Sequence, residues 1–444
     1  MKEKIFKGIF VALVLAVAMV LTVGMAIFGP ATAAANEQLA QKPTLLEEGK
    51  LNESYLSQLA DWVNDGFFLR QELISTGNWL SANMLCSSGA EDVIVGSDGW
   101  LYYTPTLPDY TGTGAMTDRE VFSAAKNLQL MAQFCQSQGK DFVFAIAPNK
   151  NSLYPEQMPD YGIQAQQTNA SRLTELLSSA GVKTADLFAA FASQEETLYF
   201  AHDSHWNAKG AALGADVINA AFGIESDYFS ADFSDQQSHT GDLYEMLYPA
   251  FADPETDPVY GGELKYTFTG GGKRPDSMTI ETEGLGQGSL LAYRDSFGNL
   301  LYPYLADSAA GARFSRSVTY DLTKDADRVL IELVERNLTY LIKYAPIMPS
   351  PERDITVTKN ISGTAAVKQE QKNAPEGTVK LTGTLPATAD VDSSIYLICG
   401  GVAYEAFCLE NDSYCAYVPE DAQPEKLVFS NAGLQQCYEF LQNQ

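Results

Sequence analysis

One short run of residues, DSHW at 203–206, places a carboxylate beside an imidazole. Asp203 can hold one imidazole nitrogen of His205 and leave the other nitrogen free to accept a proton. The chain has three histidines, so few residues compete for this role. On an extended backbone His202 would point away from His205. His239 is expected to be a structural residue in a surface insertion. The run therefore predicts a general base.

The second candidate for chemistry is a serine at the junction of a predicted strand and a predicted helix. The apolar run 290–293 is typical of a buried strand, and residues 297–305 are compatible with a helix. Ser296 lies between them, beside the positive end of the helix, where an alkoxide or oxyanion is stabilised. We therefore expect Ser296 to be the nucleophile, His205 the base and Asp203 the group that fixes the imidazole tautomer. The chain order Asp, His, Ser is compatible with a triad, because the same geometry recurs in different orders.

Weaker candidates for orienting a substrate or stabilising an oxyanion are Arg294, Phe297, Asn299, Lys150 and Trp206. Backbone N–H groups near Ser296 and Phe297 are expected to form part of an oxyanion hole. Lys150 follows the apolar run 142–147, at the strand end where open α/β sheets bind ligands, although a structural role is favoured for it. Cysteines and histidines lack metal-ligand spacing, so no metal and no cofactor are predicted.

The elements that must position these residues alternate between strands and helices, which predicts an α/β domain built on a parallel sheet. Buried strands are expected at 142–147, 182–187, 290–293 and 328–334, helices at 117–138, 170–180, 207–222 and 297–305, and a hairpin at 93–103. The Gly-rich segment 261–272 lacks phosphate-loop spacing and is expected to be a loop. Glu332 is unusual in a buried strand and is expected to pair with Arg336 or Arg294.

Four motifs, taken in order, resemble the DHHW proteins and the related alginate O-acetyltransferase group: GSDGWLYY, APNKNSLYPEQMP, DSHWNAKGA and RDSFGNLLYPYL. The segment 241–243 also fits the family pattern. This resemblance, over roughly residues 59–340, implies an SGNH-hydrolase-like parallel sheet flanked by helices, with a circularly rearranged motif order. The chain departs from the name-giving tetrad at Ser204, where the family has histidine. The family implies acyl-group chemistry, with acetyl as the acyl group and an exported polysaccharide as the acceptor.

The expected function is that of an exported serine-dependent O-acyltransferase that acetylates an extracellular or cell-wall polysaccharide through an acyl-enzyme. A carbohydrate esterase is the first alternative, because the two reactions differ only in whether water or a sugar hydroxyl attacks the acyl-enzyme. A non-catalytic cell-surface polysaccharide-binding or assembly protein that retains the fold is the second. A transferase would need a membrane-bound O-acyltransferase to pass the acetyl group outward.

Charge and the N-terminus restrict the location of the protein. The net charge of −27 argues against nucleic-acid binding and against electrostatic docking to an anionic membrane. Lysines at positions 2, 4 and 7 precede an uncharged run, 8–28, that is long enough to span a bilayer. Residues 1–35 are therefore a signal-anchor, which the length favours, or a signal peptide cleaved near Ala31-Thr32-Ala33. In either case the remainder is extracytoplasmic, membrane-anchored or secreted.

The remaining chain divides by composition. Residues 36–90 are expected to be a linker and N-terminal helices, 91–345 the catalytic domain, 346–353 a Pro-rich linker and 354–444 a small β-rich accessory domain. Two cysteines, Cys86 and Cys135, stand alone, whereas export predicts at least one disulfide among Cys399, Cys408, Cys415 and Cys437. A packing or spacing role is favoured for the last domain. The alternative is carbohydrate binding through Tyr396, Tyr404 and Tyr414.

Overall fold

The computed structural model describes residues 2–33, 37–47, 49–85, 87–358 and 360–441, so Cys86 lies outside the described residues. The helices are α1 Lys2–Phe28, α2 Tyr55–Gly66, α3 Arg70–Leu85, α4 Leu107–Thr111, α5 Asp118–Ser137, α6 Lys150–Leu153, α7 Asn169–Ser179, α8 Leu187–Ala192, α9 Ala208–Ala221, α10 Asp242–Leu247, α11 Gly298–Asp307 and α12 Tyr340–Lys343. The strands are β1 Leu46–Glu47, β2 Lys50–Leu51, β3 Val93–Val95, β4 Leu101–Tyr103, β5 Asp141–Ala147, β6 Thr184–Ala185, β7 Phe233–His239, β8 Glu255–Tyr260, β9 Tyr266–Gly271, β10 Thr279–Gly284, β11 Ser289–Tyr293, β12 Gly311–Ser315, β13 Arg328–Val334, β14 Glu352–Arg353, β15 Gly363–Ala365, β16 Lys368–Glu370, β17 Thr378–Thr384, β18 Ile395–Cys399, β19 Val402–Cys408, β20 Ser413–Pro419, β21 Pro424–Asn431 and β22 Leu434–Phe440.

A mixed sheet with the strand order β6-β5-β13-β11-β12-β10-β9 forms the centre of the larger domain. The first five strands in this order are parallel, as the sequence predicts. Two antiparallel strands, β10 and β9, extend one edge. The expectation of a loop at 261–272 was therefore wrong for β9. Its aromatic residues Tyr266 and Phe268 alternate at the strand period and pack against the core.

Both faces of the parallel strands are covered, which explains their nearly continuous apolar sequences. In β5, Phe142, Phe144 and Ile146 contribute to the core under α5 and α7, whereas Val143 and Ala145 contribute to the core under α9 and α11. Full burial of a side chain such as Phe144 stabilises the fold by about 1.5–3 kcal/mol. The helices begin at defined caps. Thr117 and Glu120 form a capping box before α5, and Asn207 caps α9 by accepting a hydrogen bond from the Gly210 N–H.

The C-terminal strands form a second sheet with the order β15-β22-β21-β18-β19-β20-β17-β16, and β14 pairs with β19. This sheet packs on α5. The Asn127 amide donates to the Cys408 carbonyl over 2.8 Å, and Lys126 forms a 2.8 Å ion pair with Glu405. The Pro-rich segment 346–353 between the two domains is also packed, because the Tyr417 N–H donates to Ser350 Oγ over 3.0 Å. These contacts indicate that the two sheets form one packed body.

The expectation of a disulfide in this C-terminal module was wrong. Its four cysteines are free and buried, and they contribute to separate apolar clusters: Cys399 and Cys408 to one, Cys415 to another, Cys437 to a third. Burial raises the pKa of the Cys399 and Cys415 thiols to about 12, so they behave as small apolar side chains. Tyr404 and Tyr414 are also buried, and only Tyr396 of the three proposed carbohydrate-binding tyrosines is partly exposed.

Candidate active site

The candidate nucleophile lies where three adjacent parallel strands end at one edge of the sheet. Ser296 follows β11, which neighbours β13, and β13 neighbours β5. The side chain of Asp295 fixes this loop. One of its oxygens accepts a hydrogen bond from the Phe297 N–H over 3.0 Å, and the other accepts bonds from the Val334 N–H and the Asn337 amide, both over 2.8 Å. The loop carrying Ser296 is therefore fastened to the end of β13.

The structure brings the three predicted catalytic residues together. Ser296 Oγ lies 2.8 Å from His205 Nε2, and His205 Nδ1 lies 2.7 Å from Asp203 Oδ1. Asp203 Oδ1 also accepts the backbone N–H of His205 over 2.9 Å, which fixes the carboxylate relative to the ring. The order of contacts is that of a nucleophile, its base and the residue that orients the base, as the sequence predicted.

Lys150 is buried and holds the loop that carries Asp203 and His205. Its ammonium donates to the carbonyls of Leu101, Ala201 and Asp203 over 2.5, 2.7 and 2.9 Å. Burial lowers the pKa of Lys150 to about 7, opposed by nearby carboxylates such as Asp203. This geometry agrees with the structural role favoured for Lys150 and gives it no face toward a substrate.

Trp206 and Phe297 are almost fully buried, so their side chains are not placed to orient a substrate. The rings pack edge to face with centroids 4.9 Å apart, and the Trp206 Nε1–H donates to the Phe297 carbonyl over 3.1 Å. The His205 ring lies against Phe297 at 4.9 Å. These aromatic residues therefore join the histidine loop to the serine loop beneath the site.

Arg294 is buried as well, and its guanidinium is held by other groups. It donates to Asn299 Oδ1 over 2.6 Å and to the Pro275 carbonyl over 2.6 Å, and burial lowers its pKa to about 10. A Cβ added to Gly298 would lie 2.4 Å from Arg294 Cδ, so only glycine allows this packing at the start of α11. Asn299, which is partly exposed, is the one of the five weaker candidates that could still face a ligand.

The expected oxyanion donor at Phe297 was also wrong, since that N–H is bonded to Asp295. Within the described part of the chain, the N–H groups of Ser296 and Gly298 have no hydrogen-bond acceptor. Both belong to the turn that leads into α11, at the positive end of the helix. They are the better candidates for stabilising an oxyanion beside Ser296.

Sequence reasoning placed His239 in a surface insertion, but the structure places it in the hydrogen-bond network of the triad. His239 Nε2 lies 2.9 Å from Asp203 Oδ2, the oxygen that does not contact His205. Its ring stacks on Phe200 with centroids 3.8 Å apart. Asp203 is thus bonded on both sides by imidazoles, a relationship that the separation of 36 residues concealed.

Asp242, at the start of α10, is the second residue that sequence reasoning did not place in the site. Its carboxylate accepts the backbone N–H of Ser204 over 2.8 Å and the Ser204 hydroxyl over 2.7 Å. The Asp242 N–H in turn donates to Asp203 Oδ2 over 3.0 Å. Gly241 permits this approach, because a Cβ there would lie 2.1 Å from the His202 carbonyl oxygen. In the sequence, the feature that pointed to Asp242 was the match of residues 241–243 to the family pattern.

These contacts determine the charge states of the site. Burial alone would raise the pKa of Asp203, but hydrogen bonds from His205 and His239 hold it well below its usual value. Burial would lower the pKa of both histidines, yet the carboxylate of Asp203 raises each above the ordinary imidazole value. Burial and the charge of Asp203 raise the pKa of Asp242. Asp203 is therefore the fixed anion of the network.

Ligand atoms of Asp203, His205 and Asp242 lie within 4.8 Å of one another, a spacing that a metal ion could use. Each of these side chains is already bonded to a protein group, to His205, Asp203 and Ser204 respectively. The hydrogen bonds of the triad network therefore account for the cluster.

A cavity of about 200 Å³ opens beside Ser296. It is lined by side chains that include Arg316, Val318, Tyr320 and Asn337. An acetyl group has about the volume of two waters, on the order of 60 Å³, so the cavity can hold a small acyl group. A polysaccharide chain would have to lie outside it.

Glu332 lies in β13, close to the serine loop, and is fully buried. Among the described residues, it forms no ion pair within 4.0 Å with Arg294 or Arg336, so the predicted pairing was wrong. Burial and the charge of Asp295 raise the pKa of Glu332 well above its usual value. Burial therefore favours the neutral form of the Glu332 side chain.

Known proteins resemble this chain in the region that contains the histidine dyad. Residues 93–259 match the family model described as SGNH hydrolase-like domain, acetyltransferase AlgX. The probable alginate O-acetylase AlgJ of Pseudomonas syringae pv. tomato is 26% identical over 245 residues, which cover 49% of this chain and 60% of that protein. Its namesake from Pseudomonas aeruginosa is 24% identical over 186 residues, covering 39% and 46%. The chain thus matches less than two thirds of the length of either relative.

Solved structures show weaker likenesses. PatB1 from Bacillus cereus has a TM-score of 0.44 and 20% identity, covering 55% of this chain and 96% of that one. A DHHW family protein from Eubacterium siraeum has a TM-score of 0.39 and 16% identity, covering 49% and 85%. The match over residues 93–259 and the parallel sheet described above agree with the SGNH-hydrolase-like fold that the motif order predicted. Over that region the chain is similar to the SGNH hydrolase-like domain of the AlgX family model, and it is also similar to the AlgJ proteins.

Proposed function

We propose that this protein is an extracytoplasmic O-acetyltransferase that uses Ser296, His205 and Asp203 to transfer acetyl groups to an exported polysaccharide. The observation that carries the proposal is the continuous series of hydrogen bonds from Ser296 Oγ through His205 to Asp203. The relatives named as alginate O-acetylases support an acetyl group and a polysaccharide acceptor.

In the first half-reaction, Ser296 Oγ attacks the carbonyl carbon of the acyl donor as its proton passes to His205 Nε2. Asp203, bonded to Nδ1, holds the ring and stabilises the imidazolium that forms. The tetrahedral oxyanion accepts hydrogen bonds from the free N–H groups of Ser296 and Gly298. When the intermediate collapses, the bond to the donor's leaving group breaks and that group takes the proton from His205. The product is an acetyl ester on Ser296.

In the second half-reaction, a sugar hydroxyl gives its proton to His205 Nε2 and attacks the ester. Collapse of the second tetrahedral intermediate releases the acetylated sugar, and Ser296 Oγ takes back the proton from His205. Water in place of the sugar hydroxyl would give an esterase. The 200 Å³ cavity beside Ser296 suits the acetyl group and leaves the polysaccharide at the mouth of the site.

Membrane attachment through α1 is the second part of the proposal. Within the described residues α1 is the helix long and apolar enough to cross a membrane, over Ile5–Phe28. The last two turns of α1 also pack on the segment between α2 and α3: the Phe68 N–H donates to the Leu21 carbonyl over 3.2 Å, and the Phe28 and Phe68 rings stack at 5.0 Å. This packing favours an uncleaved anchor. A membrane-bound O-acyltransferase would then be the nearest source of acetyl groups.

The test is to incubate the purified full chain with a chromogenic acetyl ester and to measure both turnover and the mass of the Ser296 peptide. We expect a burst of product and one acetyl group on that peptide, and neither in Ser296→Ala. Addition of candidate polysaccharides then separates the two chemistries, because a transferase yields acetylated polymer and an esterase only acetate. Absence of both turnover and the acetylated peptide would favour a binding protein.

A further inference from the structure

Helix α3 buries two polar residues and Ala82 against the protein and leaves several large apolar side chains exposed. Ser75 and Asn78 are buried, and they bond to the neighbouring segment: the Ala250 N–H donates to Ser75 Oγ over 2.9 Å, and the Asn78 amide donates to the Leu247 carbonyl over 2.7 Å. A surface helix ordinarily shows the opposite arrangement, with apolar residues toward the core. The exposed apolar side chains of α3 are therefore available for contact with a further apolar surface.

The outward side carries an apolar stripe, which we define as Leu73, Leu80 and Met84. These side chains are 49%, 44% and 74% exposed. Their spacing of seven and four residues places them on one side of the helix, opposite Ser75 and Asn78. Trp79, which is 50% exposed, lies about 100° around the helix from Leu80, outside the stripe. Lysine and arginine are absent from α3 after its first residue, so an electrostatic attachment is not the basis of this surface.

The stripe begins beside the proposed membrane anchor. Gly66 and Phe68, in the junction between α2 and α3, contact the last two turns of α1, and Gly24 leaves room for the Phe68 ring. The uncharged run 8–28 within this span has a length of about 31 Å, close to the roughly 30 Å of the hydrocarbon core of a bilayer, so its last residues would lie at the outer surface. A spanning α1 would therefore hold the start of α3 at the outer surface of the membrane.

We infer that the stripe of Leu73, Leu80 and Met84 rests on the outer surface of the lipid bilayer as a second, non-spanning contact. This inference rests on the proposed anchoring through α1. Burial of three such side chains is favourable because it removes their apolar surface from water. The interface with zwitterionic lipid suits a surface without basic residues on a protein of net charge −27.

The contact would also determine where the active site lies. The segment bonded to α3 belongs to α10 and the residues after it, and α10 begins at Asp242, which binds Ser204 beside the triad. Five residues of helix separate Asp242 from Leu247, about 7.5 Å. A bilayer under α3 would thus place the triad on the order of 20 Å from the lipid surface, allowing for the width of one helix. That position suits an acyl donor held in the membrane.

The experiment uses the full chain in nanodiscs of phosphatidylcholine, with or without brominated acyl chains that quench tryptophan on contact. Leu80→Trp places a reporter in the stripe. Leu434→Trp is the matched control, because Leu434 is 67% exposed in the C-terminal module. We expect brominated lipid to quench most of the emission added by Leu80→Trp and none of that added by Leu434→Trp. Aqueous iodide should have the opposite effect.

Two results would overturn the inference. Equal iodide quenching of both reporters, with no effect of bromine, would show that the stripe faces water. Protection of Leu80→Trp from iodide in native membranes but not in pure lipid would assign the stripe to a protein partner. The intact mass of the purified chain shows whether α1 is retained. If α1 is retained and brominated lipid does not quench Leu80→Trp, the bilayer contact of the stripe is refuted, whereas the anchor through α1 is not. The acetyl-ester assay on the same samples tests the proposed chemistry separately.

Discussion

His239 offers the sharpest test of how the triad is supported, because the structure assigns it a contact that the sequence did not indicate. Its Nε2 lies 2.9 Å from Asp203 Oδ2. His239→Phe keeps an aromatic ring against Phe200 but removes the hydrogen bond, whereas His239→Gln keeps an N–H donor. A hydrogen bond to a charged group contributes about 1.5–3 kcal/mol. If this full amount is lost in the transition state, kcat/KM falls by roughly 10- to 150-fold.

The same pair of variants has a predictable effect on the pH profile. When His239 is protonated it shares the negative charge of Asp203, which weakens the effect of that charge on His205. Asp257 and Glu255 also face His239 and raise its pKa, so the protonated form persists to higher pH. Both variants remove this competing cation, so the pKa of His205 should rise. Because His205 must be neutral to act as a base, the acid limb of kcat/KM should move to higher pH in both.

The assay is hydrolysis of a chromogenic acetyl ester from pH 5 to 9, with thermal unfolding measured in parallel. His202→Gln is the control, because this histidine contacts the network through its backbone and not through its ring. We expect His239→Gln and His202→Gln to remain within a few-fold of the parent at the optimum, and His239→Phe to lose at least about 10-fold. A His239→Phe enzyme with parental kcat/KM and an unmoved acid limb would refute the supporting role of His239.

Further predictions concern other residues of the site. Ser296→Ala should lower ester turnover by several orders of magnitude with unchanged thermal unfolding. In the parent, kcat/KM should fall with decreasing pH at an apparent pKa above the ordinary imidazole value of about 6.5, because Asp203 raises the pKa of His205. Glu332→Gln should stabilise the protein above about pH 5 and have little effect below it. Because the pKa of Glu332 is raised in the folded state, the unfolded chain ionises first as the pH rises, and the free energy of unfolding of the parent falls by up to about 1.4 kcal/mol per pH unit. Denaturant unfolding at several pH values measures this difference. Lys150→Met should lower the free energy of unfolding by about 3 kcal/mol, because it removes three hydrogen bonds that the ammonium donates to backbone carbonyls, and Met is similar in volume.

The parts of the fold that could be predicted from the sequence are those where local pattern and burial agree. The strand at Arg328–Val334 is uniformly buried, so its apolar run marked its limits well. The helix after Thr117 was defined by a cap that acts within three residues. The strand Tyr266–Gly271 was missed because its glycines suggest a loop, whereas pairing with β10 decides its conformation. Such pairing is a long-range property that local propensity does not contain.

The site was predictable to the same extent. Asp203 and His205 are two residues apart, and Ser296 stands at a strand-to-helix junction, so their types and local context were visible in the sequence. The contact of His239 with Asp203 depends on the path of β7 and on the close approach at Gly241, which only the folded chain shows. Buried Arg294 was misjudged for a similar reason, because a charged residue beside a nucleophile suggests a role in the reaction.

The network also bears on whether the fold has kept a chemical function. Asp203, Lys150 and Glu332 are ionisable groups buried close to Ser296. Burial of such groups is costly, and well-packed apolar replacements of buried ion pairs are often neutral or stabilising by about 1–4 kcal/mol. A scaffold that only bound polysaccharide would have no need to orient a buried imidazole toward a serine hydroxyl. The retention of a carboxylate bonded to two imidazoles, one of them 2.8 Å from Ser296 Oγ, therefore favours catalysis over binding. If Glu332→Gln gains stability while activity is kept, and Asp203→Asn loses activity, the two buried acids have different roles. Asp203 then serves the reaction, and Glu332 belongs to the packing beneath it.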